Sequence, residues 1–143
     1  MPKRFEQFVQ TLPRAEQDAI AQETDHLLAK ERQRQLYRTI LKAIMATQAE
    51  EMARQPVTGV DVELLIDEAH DNYMLSPVGW SPQGRVRGAT LYVRIRNGKF
   101  WIEEDWTEEG IATHLLAAGV PKEDIVLAFH APEVRPYTEF AVA

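Results

Sequence analysis

Asn97 to Pro132 reads NGKFWIEEDWTEEGIATHLLAAGVPKEDIVLAFHAP, and the order of signals in it decides the fold. Asn97-Gly98 between alternating apolar runs predicts a two-residue type I′ hairpin, because both central positions of that turn need positive φ. Register follows from the turn. Ile95 should face Phe100 and Val93 should face Ile102 on an apolar side, with Arg94 facing Trp101 and Tyr92 facing Glu103 on the other. One face therefore covers a core and one is aromatic and charged, as in an antiparallel sheet buried on one side. Trp101 over Arg94 is either a cation–π pair or an ordinary cross-strand neighbour.

A helix should follow, capped by Asp105 or Thr107, with Glu108 and Glu109 at its positive end and Gly119 then Pro121 stopping it. Its apolar stripe is Ile111, Ala112, Leu115 and Leu116. Asp105 with Glu108 fits a capping box, so these two carboxylates do not require a catalytic role. Pro121 to Asp124 reads as one more helical turn and Ile125 to Phe129 as a buried strand.

Working backwards, Arg85 to Arg96 reads as one long strand. Before it, YMLSPVGW (Tyr73 to Trp80) is a strand in which Pro77 cannot donate to a ladder and Gly79 marks a bulge or close approach, which argues for an edge position or a bend. VDVELLID (Val60 to Asp67) alternates as a half-buried strand. Four strands with short turns make a meander. From Pro13 to Arg54 there is no Gly and no further Pro, so the spacing predicts a long helix, interrupted near Lys30. Leu36, Tyr37, Ile40, Leu41, Ile44, Met45 and Met52 form the stripe that should lie on the sheet. Phe5, Phe8, Val9 and Leu12 line a short helix before a break at Thr11 and Pro13. The fold class is α+β: a long N-terminal helix packed on an antiparallel β-meander, with a C-terminal helix and a further strand. The apolar tail Phe140 to Ala143 should dock on the sheet or complete an interface.

The chain has 143 residues, 45% apolar and 27% charged, no cysteine and a formal charge of −6. That is about one domain with a real core. Absence of cysteine excludes disulfides and thiolate metal sites; with no leader-like or membrane-length apolar run, a cytoplasmic protein is expected. Residues 1–55 carry nine Lys or Arg against eight Asp or Glu, and residues 56–143 seven against fourteen. An acidic sheet domain is a poor phosphate binder, so protein partners are favoured and direct nucleic-acid binding is not. No P-loop, Gly-x-Gly-x-x-Gly, Gly-x-Ser-x-Gly or acid-x-Lys nuclease pattern occurs, and His26, His70, His114 and His130 lack metal-ligand spacing. No cofactor, metal or catalytic residue is assigned.

DWTEEGIATHLLAAGVPKEDIVLAFHAPEVRPYTEFAVA (Asp105 to Ala143), with MLSPVGW (Met74 to Trp80), RVRG (Arg85 to Gly88) and GKFWIEED (Gly98 to Asp105), resembles the XisI family, the fdxN element excision controlling factors of cyanobacteria. The likeness runs from about Leu36 to Ala143, dividing the chain into an N-terminal helical extension, 1–35, and an α+β domain, 36–143. It implies a non-catalytic accessory protein in DNA rearrangement, working beside a site-specific recombinase and an XisH-like companion. The family pattern is departed from at TLYVRI (Thr90 to Ile95), where a His near Tyr92 and an acid near Arg94 are expected, so metal or acid–base roles there do not carry over.

Three readings of different class result. The preferred one is a protein-binding regulatory module using Tyr92, Arg94, Trp101, His130 and Arg135. The second is a DNA-binding accessory using the helix row Lys30, Arg34, Arg38 and Lys42, a row that equally describes a solvated face. The third is a metal-dependent enzyme using Asp105, Glu108 and His130. For His130 and Arg135 the structural alternative is that they tie down the C-terminal tail. Residues 1–35, whose helix offers only Ile20, Leu27 and Leu28 as large apolar groups, are read as an arm for homodimerisation or for gripping a partner.

Overall fold

The computed structural model describes residues 3–143. It divides into two units, Met1–Gln35 and Leu36–Ala143. In the first, α1 (Lys3–Gln10) ends at a turn in which Thr11 donates through both N–H and hydroxyl to the Phe8 carbonyl, and α2 (Arg14–Ala53) starts after Pro13. The Gln17 amide donates back to the carbonyls of Leu12 and Gln10, fixing the α1–α2 corner. The expected interruption near Lys30 is absent: α2 is one 40-residue helix, because nothing in Lys30–Gln35 removes a backbone donor or favours a turn.

The second unit holds the sheet: β1 (Val60–Asp67), β2 (Asn72–Ser81), β3 (Gly84–Val86), β4 (Leu91–Arg96), β5 (Lys99–Asp105) and β6 (Ile125–Leu127). Strand order is β1-β2-β4-β5-β6, with β3 pairing β2 beyond β4. All pairs are antiparallel except β5–β6, which is parallel and joined through α3 (Ile111–Ala117). The long strand expected over 85–96 is broken between Val86 and Leu91, where Gly88 takes φ +98°. The strand YMLSPVGW is flanked by β1 on one side and by β4 and then β3 on the other, and the expected edge position holds only locally, at Pro77, where that second side is open. Pro77 is tolerated because the β4 ladder ends at Leu75 and the β3 ladder begins at Gly79, so its missing N–H falls in the gap.

The hairpin behaves as read, with Asn97 at φ +53° and Gly98 at φ +73°. Val93 pairs with Ile102, Arg94 with Trp101 and Ile95 with Phe100. Tyr92 then faces Glu104 rather than Glu103, because Glu103 is a bulged residue without a partner on β4. The capping box does not form. Asp105 instead accepts the Ile111 N–H at 2.7 Å and both donors of Thr107, so it caps α3 from six residues upstream while Glu108 lies outside the helix. At the other end the Val120 N–H returns to Leu115 and that of Gly119 to Leu116, a Schellman stop with Gly119 at φ +93°.

Tyr37, Leu41 and Met45 of α2, Ile111 and Leu115 of α3, and Tyr73, Leu75, Leu91, Val93, Phe100 and Ile102 of the sheet form one core. Both helices therefore cover the same sheet face. Leu36, expected in the stripe, is exposed. Tyr37 stacks on Phe100 with centroids 4.6 Å apart and donates to Asp124 at 2.5 Å, tying α2 to the turn before β6.

Under this layer sits a buried ionic cluster. Arg38 Nε meets Asp71 at 2.6 Å, with the two side chains only 11% and 4% exposed, and Tyr73 Oη donates to the same carboxylate at 3.1 Å. Burial, and behind it the Asp71 charge, pushes the Tyr73 phenol up to about 12. The fold thus favours the neutral phenol, and the stability it lends is complete below the ordinary tyrosine range near pH 10 and lost as pH rises towards 12. Chemical denaturation between those values should show stability falling with pH, and Tyr73→Phe should flatten that slope; an unchanged slope in the variant would contradict the assignment.

Candidate functional site

With α2 and α3 on one face, the residues of opposite parity define the other: Leu65 on β1, Met74, Val78 and Trp80 on β2, Tyr92 and Arg94 on β4, and Trp101 on β5. The C-terminal tail runs beside β6 and reaches the Trp101 end of this face through Arg135. Ala141 donates to the Ile125 carbonyl at 2.9 Å and bridges Val126 in parallel, and Lys99 reaches the Ala143 carbonyl. Arg135 organises this tail, donating to the carbonyls of His130 (3.1 Å), Ala128 and Val142 while its guanidinium lies 5.6 Å from the Trp101 ring centre. The cation over Trp101 is thus Arg135, not Arg94. The bulge explains why: it turns the Glu103 carboxylate towards Arg94, which donates to it from Nε and Nη2 at 3.0 and 2.8 Å.

Of the residues read from sequence as partner-binding, Trp101, His130 and Arg135 are thus gathered around the tail clasp, His130 contributing its carbonyl and a ring contact with Phe129 at 4.6 Å, while Arg94 is held by Glu103. Tyr92 stands apart. It borders the other end of the face and donates to Asn72 at 3.2 Å. There Leu65, Ile66, Asp67, Asn72, Met74 and Tyr92 enclose a shallow, mainly apolar hollow of about 280 Å³. Its rim is set by Asp67, which accepts from the His70 backbone and ring and from Asn72; the His70 contact chiefly holds its carboxyl below the usual range. Leu65, Val78 and Trp80 are 53%, 37% and 67% exposed. Sequence reasoning passed over this patch. Its signal was Leu65 at the polar parity of β1, otherwise occupied by Asp61, Glu63 and Asp67.

The basic row is not displayed as a row. Arg38 is buried against Asp71 and also donates to the Glu68 carbonyl, Lys42 pairs with the Glu68 carboxylate, and Arg34 lies 3.7 Å from Glu31. Lys30 is exposed. Asp105, required by the metal-enzyme reading, is engaged as the α3 cap. His114 lies 3.4 Å from the buried Gln48 and 3.5 Å from Glu109. Among the described residues no three His, Asp or Glu gather in a metal-holding group, and no helix is long and apolar enough to cross a membrane.

The sheet order, the βαβ turn through α3 and the tail clasp can be set beside known proteins. The model of the XisI protein family matches residues 31–142. The chain belongs to the XisI family. A crystal structure of a XisI-like protein from Anabaena variabilis ATCC 29413 is 31% identical, with a TM-score of 0.72, over 77% of this chain and 99% of that one. The fdxN element excision controlling factor XisI from the same organism is 40% identical, with a TM-score of 0.69, over 78% and 99%. No curated protein matches. The XisI match leaves out residues 1–30, so α1 and the first turns of α2 are an addition to the shared domain.

Proposed function

We propose that this XisI family member is a non-catalytic accessory factor in the control of site-specific excision of a DNA element, acting by binding a companion protein of the XisH-like kind. The β1–β2 end of the open sheet face carries this reading. The tail occupies the Trp101–Val126 side, whereas Leu65, Val78 and Trp80 are exposed, with Met74 and Tyr92 half-buried, on a unit whose carboxylates outnumber its cations. An apolar patch with two aromatic residues, Tyr92 and the Trp80 ring over which the Arg85 guanidinium lies 5.7 Å from the centre, and a charged rim suits protein docking, and the same acidic balance disfavours phosphate backbones. Support comes also from the relative named as an fdxN element excision controlling factor.

The test is light scattering and calorimetry of the chain mixed with an XisH-like protein. A stoichiometric complex is expected, with Trp80→Ala weakening it about thirtyfold, as truncation of a central aromatic anchor does. Trp80 is 67% exposed, so the variant should fold normally. No complex at tens of micromolar, or a complex indifferent to both Trp80→Ala and Tyr92→Ala, would overturn the reading. Salt-sensitive DNA retardation lost on Lys30→Glu would then restore the nucleic-acid alternative.

A further inference from the structure

The added N-terminal unit has an open groove of about 380 Å³ between α1 and α2, lined mainly by Phe5, Val9, Ile20, Ala21 and Thr24. One to two turns further along α2, Leu27 and Leu28 stand 56% and 49% exposed. A groove and a pair of apolar knobs on one short segment are the two halves of a self-complementary contact. The charges fit the same two-fold. Ala15 to Ala29 carries Glu16, Asp18, Glu23 and Asp25 with no Lys or Arg, and Lys30 to Gln35 carries Lys30, Arg32 and Arg34 against one acid, Glu31. The signs also recur at heptad spacing: Glu16, Glu23 and Lys30 occupy one helix position, and Asp18, Asp25 and Arg32 another. Each row changes sign along the helix. A parallel pair would set acid against acid, whereas an antiparallel pair sets acid against base.

We infer that this unit joins two copies of the chain in an antiparallel α2–α2′ dimer, Leu27 and Leu28 of each copy seated in the α1–α2 groove of the other. With the two-fold near Asp25 and His26, Leu27 of one helix lies over Ile20 and Thr24 of the other. Glu23 then meets Lys30 of the second copy, and the reciprocal pair forms by symmetry. A dissimilar partner would need no sign inversion within one helix. The Leu27, Leu28 and Glu23–Lys30 contacts lie outside the family match, so they add dimerisation to the shared domain and do not depend on companion binding.

Sedimentation and light scattering of the full chain at about 100 µM should give twice the 16.3 kDa monomer mass. Glu23→Lys and Lys30→Glu should each raise the dimer Kd at least about tenfold, and the double exchange should return it to within about threefold of the parent. Leu27→Glu should leave a monomer of unchanged helical circular dichroism. A monomeric parent, single reversals without effect, or a double exchange that fails to restore the dimer would each overturn the inference. Companion binding by the monomeric Leu27→Glu protein is a separate readout, so failure of one proposal leaves the other standing.

Discussion

Asp71→Ala is expected to destabilise the protein by about 3–5 kcal/mol, the cost of stranding a buried charge. Arg38, 11% exposed, would lose the carboxylate that it meets at 2.6 Å, while its bond to the Glu68 carbonyl remains. Tyr73 Oη would lose its acceptor inside the core. Alanine would also have to hold φ +52°, a conformation that Asp and Asn tolerate better, while its carbonyl continued to accept the Ile95 N–H at 3.0 Å. Urea denaturation should show the loss as a lowered midpoint. Asp71→Asn should cost less, since the backbone preference and the phenol's acceptor survive. Arg38→Met combined with Asp71→Asn should recover part of the Asp71→Ala loss, because no buried cation remains. A loss below about 1 kcal/mol for Asp71→Ala would show that water reaches Arg38 and that the pair is not a buried one.

Gly79→Ala should cost about 3 kcal/mol or more, for a reason unrelated to charge. Gly79 adopts φ +151°, and a Cβ built on it falls onto the carbonyl oxygen of Gly59. Gly59, at φ +84°, is held in turn beneath the Trp80 carbonyl, and the Trp80 N–H donates to the Gly59 oxygen at 3.0 Å. Two backbones meet here with no room for a side chain between them. Only backbone displacement relieves such a clash, on top of the roughly 1–3 kcal/mol of conformational strain that a non-glycine residue carries in this region. The start of β1 should separate from β2, so amide exchange at Trp80, whose N–H bonds the Gly59 carbonyl, should accelerate while the Asp67–Asn72 end of the ladder stays protected. Uniform exchange along β1 would contradict this account. Gly84→Ala should cost less, because nothing lies within 4 Å of the position its Cβ would take and only the strain of its φ of +131° remains.

These two sites differ in how far they were legible beforehand. Gly79 beside Pro77 was readable as a close approach, since glycine inside an apolar strand has few other uses. Arg38 read as one cation in a helical row, because its spacing from Lys30, Arg34 and Lys42 is visible and its distance from Asp71, 33 residues away, is not. The same limit hid the Arg135–Trp101 contact: the hairpin register correctly set Arg94 opposite Trp101, but a one-residue bulge at Glu103 diverted Arg94 and left the ring to a cation from the tail. Asp105 was recognised as a cap, yet the box with Glu108 failed because Thr107 and four intervening residues loop out before α3 begins.

By itself the sequence determined what short-range sterics and hydrogen bonds control. The positive-φ turn at Asn97-Gly98, the stop at Gly119, the two helical breaks around Pro13 and Pro56, the apolar stripe of α2 and the alternation of β1, β4 and β5 all follow from chemistry within a few residues. Only the tertiary structure decided which charges are buried together, where the sheet register slips, that the tail occupies the β6 end of the open face and that Leu65 and Trp80 remain in solvent. Those outcomes rest on pairings between residues distant in the chain, each modest in net energy and chosen by the packing of the whole core rather than by any local preference.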